Sequence, residues 1–132
     1  MPKTVMLCDD EVHILRAAEY KIRRAGYRVR TAVDGEEAWQ AIQEHCPDIL
    51  ITDCQMPRLD GFGLIERVRG NAVTATMPIF MLTAKGFEID GGDTGKWGLR
   101  GVVAKPFSPR ELLDLVAAAI GPAEEMAVGG DS

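Results

Sequence analysis

Short apolar runs alternate with longer amphipathic segments along the chain. The runs are Val5-Met6-Leu7-Cys8, Ile49-Leu50-Ile51, Ile79-Phe80-Met81-Leu82 and Val102-Val103-Ala104. Each is brief and nearly continuous, the pattern of a strand buried on both faces of a parallel sheet. A further run, Arg28-Val29-Arg30-Thr31-Ala32, alternates charge with small apolar groups and suits a partly exposed edge strand.

The segments between them read as helices. Residues 12–25 place Leu15, Ala18, Ile22 and Ala25 on one face and stop at Gly26. Asp34 and Glu37 are spaced for a capping box ahead of Ala38, Ala41 and Ile42. Residues 61–69 form a third helix with Leu64, Ile65 and Val68 apolar. Near the end, Ser108 is an N-cap, Pro109 fits the first helical position and Glu111 completes a second capping box. Leu112, Leu115, Val116, Ala119 and Ile120 of that helix face the core, and Pro122 ends it. The folded domain is therefore expected over 1–121, with a flexible tail over 122–132.

One stretch strains the alternation. A helix is required between the fourth and fifth strands, yet Gly86, Gly91, Gly92, Gly95, Gly98 and Gly101 fall there. Each interior glycine costs a helix about 1 kcal/mol relative to alanine. A short or distorted helix is expected. Five strands alternating with five helices predict a doubly wound α/β domain, with right-handed crossovers placing helices on both faces of a parallel sheet.

Composition narrows the function. A chain of 132 residues fits one domain, large enough to fold without disulfides or a structural metal. No run approaches the ~20 apolar residues that cross a bilayer. The start, Met1-Pro2-Lys3-Thr4, lacks the long apolar stretch and cleavage site of a signal peptide. A cytoplasmic protein with no membrane association is expected. The net charge of −5 disfavours direct nucleic-acid binding. Arg23, Arg24, Arg28 and Arg30 read as solvated surface around a helix end and an edge strand. Cys8, Cys46 and Cys54 lack metal-ligand spacing and are odd in number, so reduced, mostly buried thiols are expected. His13 and His45 read as surface groups, and Met56, Met81, Trp39 and Trp97 as packing.

The chemistry gathers where the strands end. The first strand runs into Asp9 and Asp10, the third into Asp53, the fourth into Thr83 and the fifth into Lys105. In open parallel sheets ligands bind outside the carboxyl ends of the strands. Three carboxylates, a hydroxyl and an ammonium should converge on one crevice. Crowded carboxylates repel, and a divalent cation with a preference for hard oxygen ligands, Mg2+, relieves the repulsion. The lysine and hydroxyl opposite suit a phosphoryl group. Asp53 is the candidate nucleophile, since a carboxylate can carry phosphate as an acyl phosphate.

Taken in order, Asp9-Asp10, Asp53 with Met56-Pro57 and Asp60-Gly61, Thr83-Ala84, and Lys105-Pro106-Phe107 resemble the receiver domains of bacterial two-component response regulators. The resemblance runs from about Lys3 to Gly121. It implies the flavodoxin-like strand order 2-1-3-4-5. It also implies that Asp53 accepts a phosphoryl group from a phosphohistidine of a histidine kinase or histidine phosphotransfer protein. Asp10, Asp53 and the backbone carbonyl of Gln55 would bind Mg2+ directly, and Asp9 would assist through water. Thr83 would hydrogen-bond a phosphoryl oxygen, and Lys105 would pair with the phosphoryl group or with Asp53. A cis peptide ahead of Pro106 is implied, and the small Ala84 would leave the phosphoryl group open to attack. With no output domain after Gly121, the expectation is a single-domain, chemotaxis-regulator-like switch. It would signal through an unknown protein target, a phosphorelay step, or a homodimer built on residues 85–98, the fifth strand and the helix of residues 108–121.

Two departures from the family pattern stand out. An aromatic residue usually lies three positions before the lysine and turns inward on activation; here it is Val102. The other is the glycine-rich segment, so activation is expected to order or shift residues 85–98 rather than swing a ring. Rival readings are a degenerate receiver that only binds, and a small Mg2+-dependent phosphohydrolase with an aspartyl-phosphate. The hydrolase needs a second Asp two residues after the nucleophile as proton donor, and that residue is Gln55. Mg2+-dependent self-phosphorylation and slow self-dephosphorylation are the expected extent of enzymatic activity. Residues 91–96 are similar to a Walker loop but lack its first glycine and its Ser or Thr. Gly61 and Gly63 begin a dinucleotide fingerprint whose third glycine is Glu66.

Overall fold

The computed structural model describes residues 2–84 and 95–124. Five parallel strands, β1 (Thr4–Cys8), β2 (Arg28–Ala32), β3 (Ile49–Asp53), β4 (Ile79–Thr83) and β5 (Gly101–Ala104), form one sheet in the order β2-β1-β3-β4-β5. Four helices are described: α1 (Val12–Arg24), α2 (Gly35–Glu44), α3 (Gly61–Arg69) and α4 (Pro109–Ile120). This is the doubly wound, flavodoxin-like architecture expected from the sequence. The helix required between β4 and β5 lies mostly outside the described residues. Its described end is a helical turn at 95–97, closed by Gly98 at φ +63. Among the described residues no helix is long and apolar enough to cross a membrane.

Strand alternation explains the two layers. Val5 and Leu7 point to one face and join Val29, Ile49, Ile51, Phe80 and Leu82 beneath Leu15, Ala18 and Ile22 of α1 and Leu112 and Val116 of α4. Met6 and Cys8 point to the other and join Leu50, Ile79 and Met81 beneath Ala38 and Ile42 of α2 and Leu64, Ile65 and Val68 of α3. Strands β1, β3 and β4 are buried at every position. Their apolar runs are continuous because both faces are covered. The edge strand β2 is partly exposed, as its charges foretold, with Val29 and Ala32 buried and Arg28 exposed.

Three expectations change. The run at Val102-Val103-Ala104 is not buried on both faces: β5 alternates, and Val102 is 41% exposed. β5 pairs only with β4, and Val103 alone among these three packs on the α4 layer. The tail does not leave the fold at 122, because Ala123 is buried and its carbonyl accepts from the Lys3 N–H at 2.7 Å. Tyr27 Oη donates to the Gly121 carbonyl at 2.5 Å, and Lys3 Nζ donates to that of Ile120. The chain is thus docked as far as Ala123, and residues 125–132 lie outside the described residues. The box at Asp34 also closes differently. Asp34 accepts from the Glu37 N–H at 2.8 Å, while Glu37 reaches back to Val33 N–H, one residue before the cap. The box at Ser108 and Glu111 closes as expected.

Candidate functional site

The parallel register brings every strand's carboxyl end to one side. After β1 the chain builds β2 on one flank and β3 on the other, so a crevice opens at this switch in direction. Asp9 and Asp10 follow β1 directly, and Asp53 ends β3. One carboxylate oxygen from each of the three lies within 4.8 Å of those of the other two. Asp9 and Asp53 are buried, and Asp10 is exposed. Thr83, the last residue of β4, is buried, and its carbonyl accepts from the Lys105 N–H at 2.7 Å. That bond fixes the backbone from which the lysine reaches over the acids. Lys105 Nζ lies 3.0 Å from Asp9 Oδ2, 3.3 Å from Asp53 Oδ2 and 2.6 Å from Glu11 Oε1. The Lys105–Pro106 peptide is cis.

The charges perturb one another. Burial raises the Asp53 pKa, and repulsion from Asp9 raises it further against the pull of Lys105. Burial pulls Lys105 down, but its hydrogen bonds to Glu11 and Asp9 and the fields of Asp9 and Asp53 more than offset this, so it is held above its ordinary value. The hydrogen bond from Lys105 holds Glu11 low. Asp9 Oδ1 accepts from the Glu11 N–H at 2.9 Å. Its Oδ2 is buried beside the ammonium yet makes no hydrogen bond in usable geometry. The ammonium's charge compensates that oxygen, and lone pairs remain for a further cation. Together with two neighbouring carboxylates, one open to solvent, Asp9 forms a hard, all-oxygen donor set that fits a divalent cation such as Mg2+. The nearby thiols do not compete. Burial pushes Cys8 up to about 12, and burial and then Asp53 push Cys54 up.

The acids and lysine singled out from the sequence meet here. Gln55, Ala84 and Pro106 are exposed just beyond their strands, and Val102 sits exposed within β5. Cys8 and Cys54 are buried as expected, while Cys46 is exposed. Glu11 went unnoticed in the sequence. It is the third acid in a row and makes no cap bond at the α1 N-cap, so it is free to bind Lys105. The need for Gly61 also went unnoticed. A Cβ there would stand 2.2 Å from the Asp53 carbonyl oxygen. The α3 N-terminus can approach Asp53 this closely only as glycine.

Comparison with known proteins gives a consistent set of matches. The response regulator receiver domain family matches residues 5–117. The alkaline phosphatase synthesis transcriptional regulatory protein PhoP of Bacillus subtilis is 38% identical over 112 residues, which are 85% of this chain and 46% of PhoP. The chain spans about half the length of the curated relatives it matches. The chemotaxis response regulator CheY4 of Vibrio cholerae superposes with a TM-score of 0.83 at 31% identity, covering 91% of this chain and 100% of that one. The receiver domain of the sensor histidine kinase PA1611 from Pseudomonas aeruginosa superposes with a TM-score of 0.80 at 28% identity, covering 92% and 99%. That structure has a magnesium ion coordinated in its active site cleft.

Proposed function

The chain belongs to the response regulator receiver domain family, and on that premise we propose that it is a signalling switch that takes a phosphoryl group on Asp53. The observation that carries the reading is the convergence of Asp9, Asp10 and Asp53 with Lys105 at the carboxyl ends of the strands. The donor is a phosphohistidine on a histidine kinase or phosphotransfer protein in the cytoplasm. An Asp53 carboxylate oxygen attacks phosphorus, the P–N bond breaks as the P–O bond forms, and the imidazole departs with its electron pair.

Asp9, Asp10 and Asp53, with the carbonyl of Gln55, would hold Mg2+, which neutralises charge on the acids and the incoming phosphoryl group. Lys105 lies close enough to Asp53 to turn from carboxylate to phosphoryl oxygen. Thr83 supplies a hydroxyl at the end of the adjoining strand. Ala84 leaves the group open to water, so slow hydrolysis returns the resting state. Output passes through protein contacts or a homodimer that draws on β5, α4 and residues 85–98, of which 85–94 lie outside the described residues. With Val102 where the family carries an aromatic ring, activation shifts or orders residues 85–98 in place of a ring swing.

Acetyl phosphate and Mg2+ test the reading. Intact protein should gain about 80 Da on Asp53. The gain should vanish in Asp53→Asn and with EDTA. Sustained turnover of a free phosphomonoester would instead favour a phosphohydrolase. No mass gain under any condition would leave a receiver that only binds.

A further inference from the structure

We infer that Arg69 is a positioning residue that ties the phosphoryl site to the end of the 85–98 segment, with α3 as the rigid element between them. The inference rests on the phosphoacceptor reading and extends it to how the signal leaves the site.

Arg69 is the last residue of α3, and among the described residues its hydrogen-bond partners are backbone carbonyls. Its Nε donates to Trp97 at 2.7 Å and one terminal nitrogen to Gly98 at 3.3 Å. The other terminal nitrogen donates to Ala75 at 3.0 Å and Met77 at 2.7 Å. One planar fork thus clamps two separate stretches of chain: the approach to β4, and the turn that ends the segment before β5. A lysine could not do this, because its ammonium is a single point and the guanidinium presents five donors in fixed directions. Trp97 and Leu99 also pack against the core layer that contains Leu64, Ile65 and Val68 of α3. The turn is therefore held to α3 by both polar and apolar contacts.

The other end of α3 is seated on the phosphoacceptor strand. Gly61 N–H donates to the Cys54 carbonyl at 3.0 Å, and Asp60 caps the helix by accepting from Gly63 N–H at 2.9 Å. A Cβ at Gly61 would overlap the Asp53 carbonyl oxygen at 2.2 Å, so the contact has no room for even a methyl group. Close-packed contacts transmit displacement rather than absorb it. With nine residues, α3 is roughly 14 Å long, one short rod between Asp53 and the Trp97–Gly98 carbonyls.

A bracing role alone would lower stability and leave the phosphoryl-dependent change intact, so the test reads that change directly. Trp39→Phe makes Trp97 the single tryptophan. Acetyl phosphate and Mg2+ are added, and mass and Trp97 emission are followed on the same sample. The background protein should gain about 80 Da and change its emission. Arg69→Met in that background should gain the same mass with no emission change. Arg69→Lys, which keeps charge and stem, should give a partial change and serves if Arg69→Met does not fold. In the unphosphorylated Arg69 variants, amide exchange at Gly98 and Arg100 should rise about tenfold. Full emission change in the Arg69 variants overturns the coupling, as does a phosphorylated background protein in which Trp97 is silent. A background protein that gains no mass removes the phosphoacceptor reading, and the coupling falls with it.

Discussion

Lys105 and Arg69 are both basic and both partly buried, yet their surroundings are opposite in kind. Lys105 faces three carboxylates, from Asp9, Glu11 and Asp53, at 3.0, 2.6 and 3.3 Å. Arg69 faces four backbone carbonyls. The carboxylates hold Lys105 above its ordinary pKa, whereas burial holds Arg69 below its own. Carboxylates can be protonated, take a cation or, at Asp53, carry a phosphoryl group, so the bonds around Lys105 are open to redistribution. Carbonyl dipoles in a folded backbone have no such alternatives, and the bonds around Arg69 persist while the chain path persists. One region is built to exchange partners and the other to hold position.

The largest effect should come from removing the exchangeable partner. Lys105→Met deletes the ammonium that faces the proposed acceptor, and phosphoryl uptake from acetyl phosphate should fall about 100-fold or more. Without Mg2+, Asp9 and Asp53 would also repel with nothing between them. The variant should lose about 2 kcal/mol in urea unfolding, less than a fully enclosed pair because Asp53, already held above its ordinary value, can take up a proton. Mg2+ should restore much of that stability by taking the same carboxylates. Wild-type uptake rates in Lys105→Met would show that the lysine is only a counter-ion.

The two regions also differ in how much of them the sequence discloses. Asp9, Asp10, Asp53 and Lys105 were legible because each directly follows, or ends, an apolar run whose strand character is plain. Once the sheet is parallel, their convergence needs no further information. Ser108 and Glu111 were legible because a capping box is local. Arg69 was not, since its Trp97 and Gly98 partners lie 28 and 29 residues away and are carbonyls, which every residue carries. Glu11 was hidden for a related reason, since its partner lies 94 residues off. The exposure of Val102 followed from β5 being last in the sheet, a property of strand order rather than of its apolar composition. Ala123 followed a proline that marks the helix end, and its seat beside Gly26 and Lys3 depends on contacts from the start of the chain.

A smaller effect separates brace from switch. Arg69→Met strands several carbonyls and should cost about 2 kcal/mol in urea unfolding. Unlike the loss at Lys105, it should not be recovered by Mg2+, and acetyl phosphate should still label Asp53 at close to the wild-type rate. Recovery by Mg2+ would mean that the two regions share one electrostatic network and that the contrast is false.

The smallest effect tests whether the acid side of the switch is held under repulsion before any ligand arrives. The Asp53 pKa is raised in the folded protein, by burial first and Asp9 second. A carboxyl that binds its proton more tightly when folded costs stability once ionised, because the unfolded chain releases that proton at lower pH. Stability is therefore lost as pH rises from the unfolded value, about 4, through the higher folded one. Asp53→Asn removes the charge and should be more stable than wild type by about 1 kcal/mol at neutral pH in EDTA. The gap should close as pH falls to about 4, where both states of the wild-type residue approach protonation. Adding Mg2+ at neutral pH should reverse the order, since a cation at 100 times its dissociation constant stabilises the wild type by about 2.7 kcal/mol and the amide binds it poorly. Urea midpoints for both proteins at the two pH values, with EDTA and then with Mg2+, decide the matter. A gap independent of pH would place the cost of Asp53 in packing rather than charge, and the contrast with Arg69 would then rest on Lys105 alone.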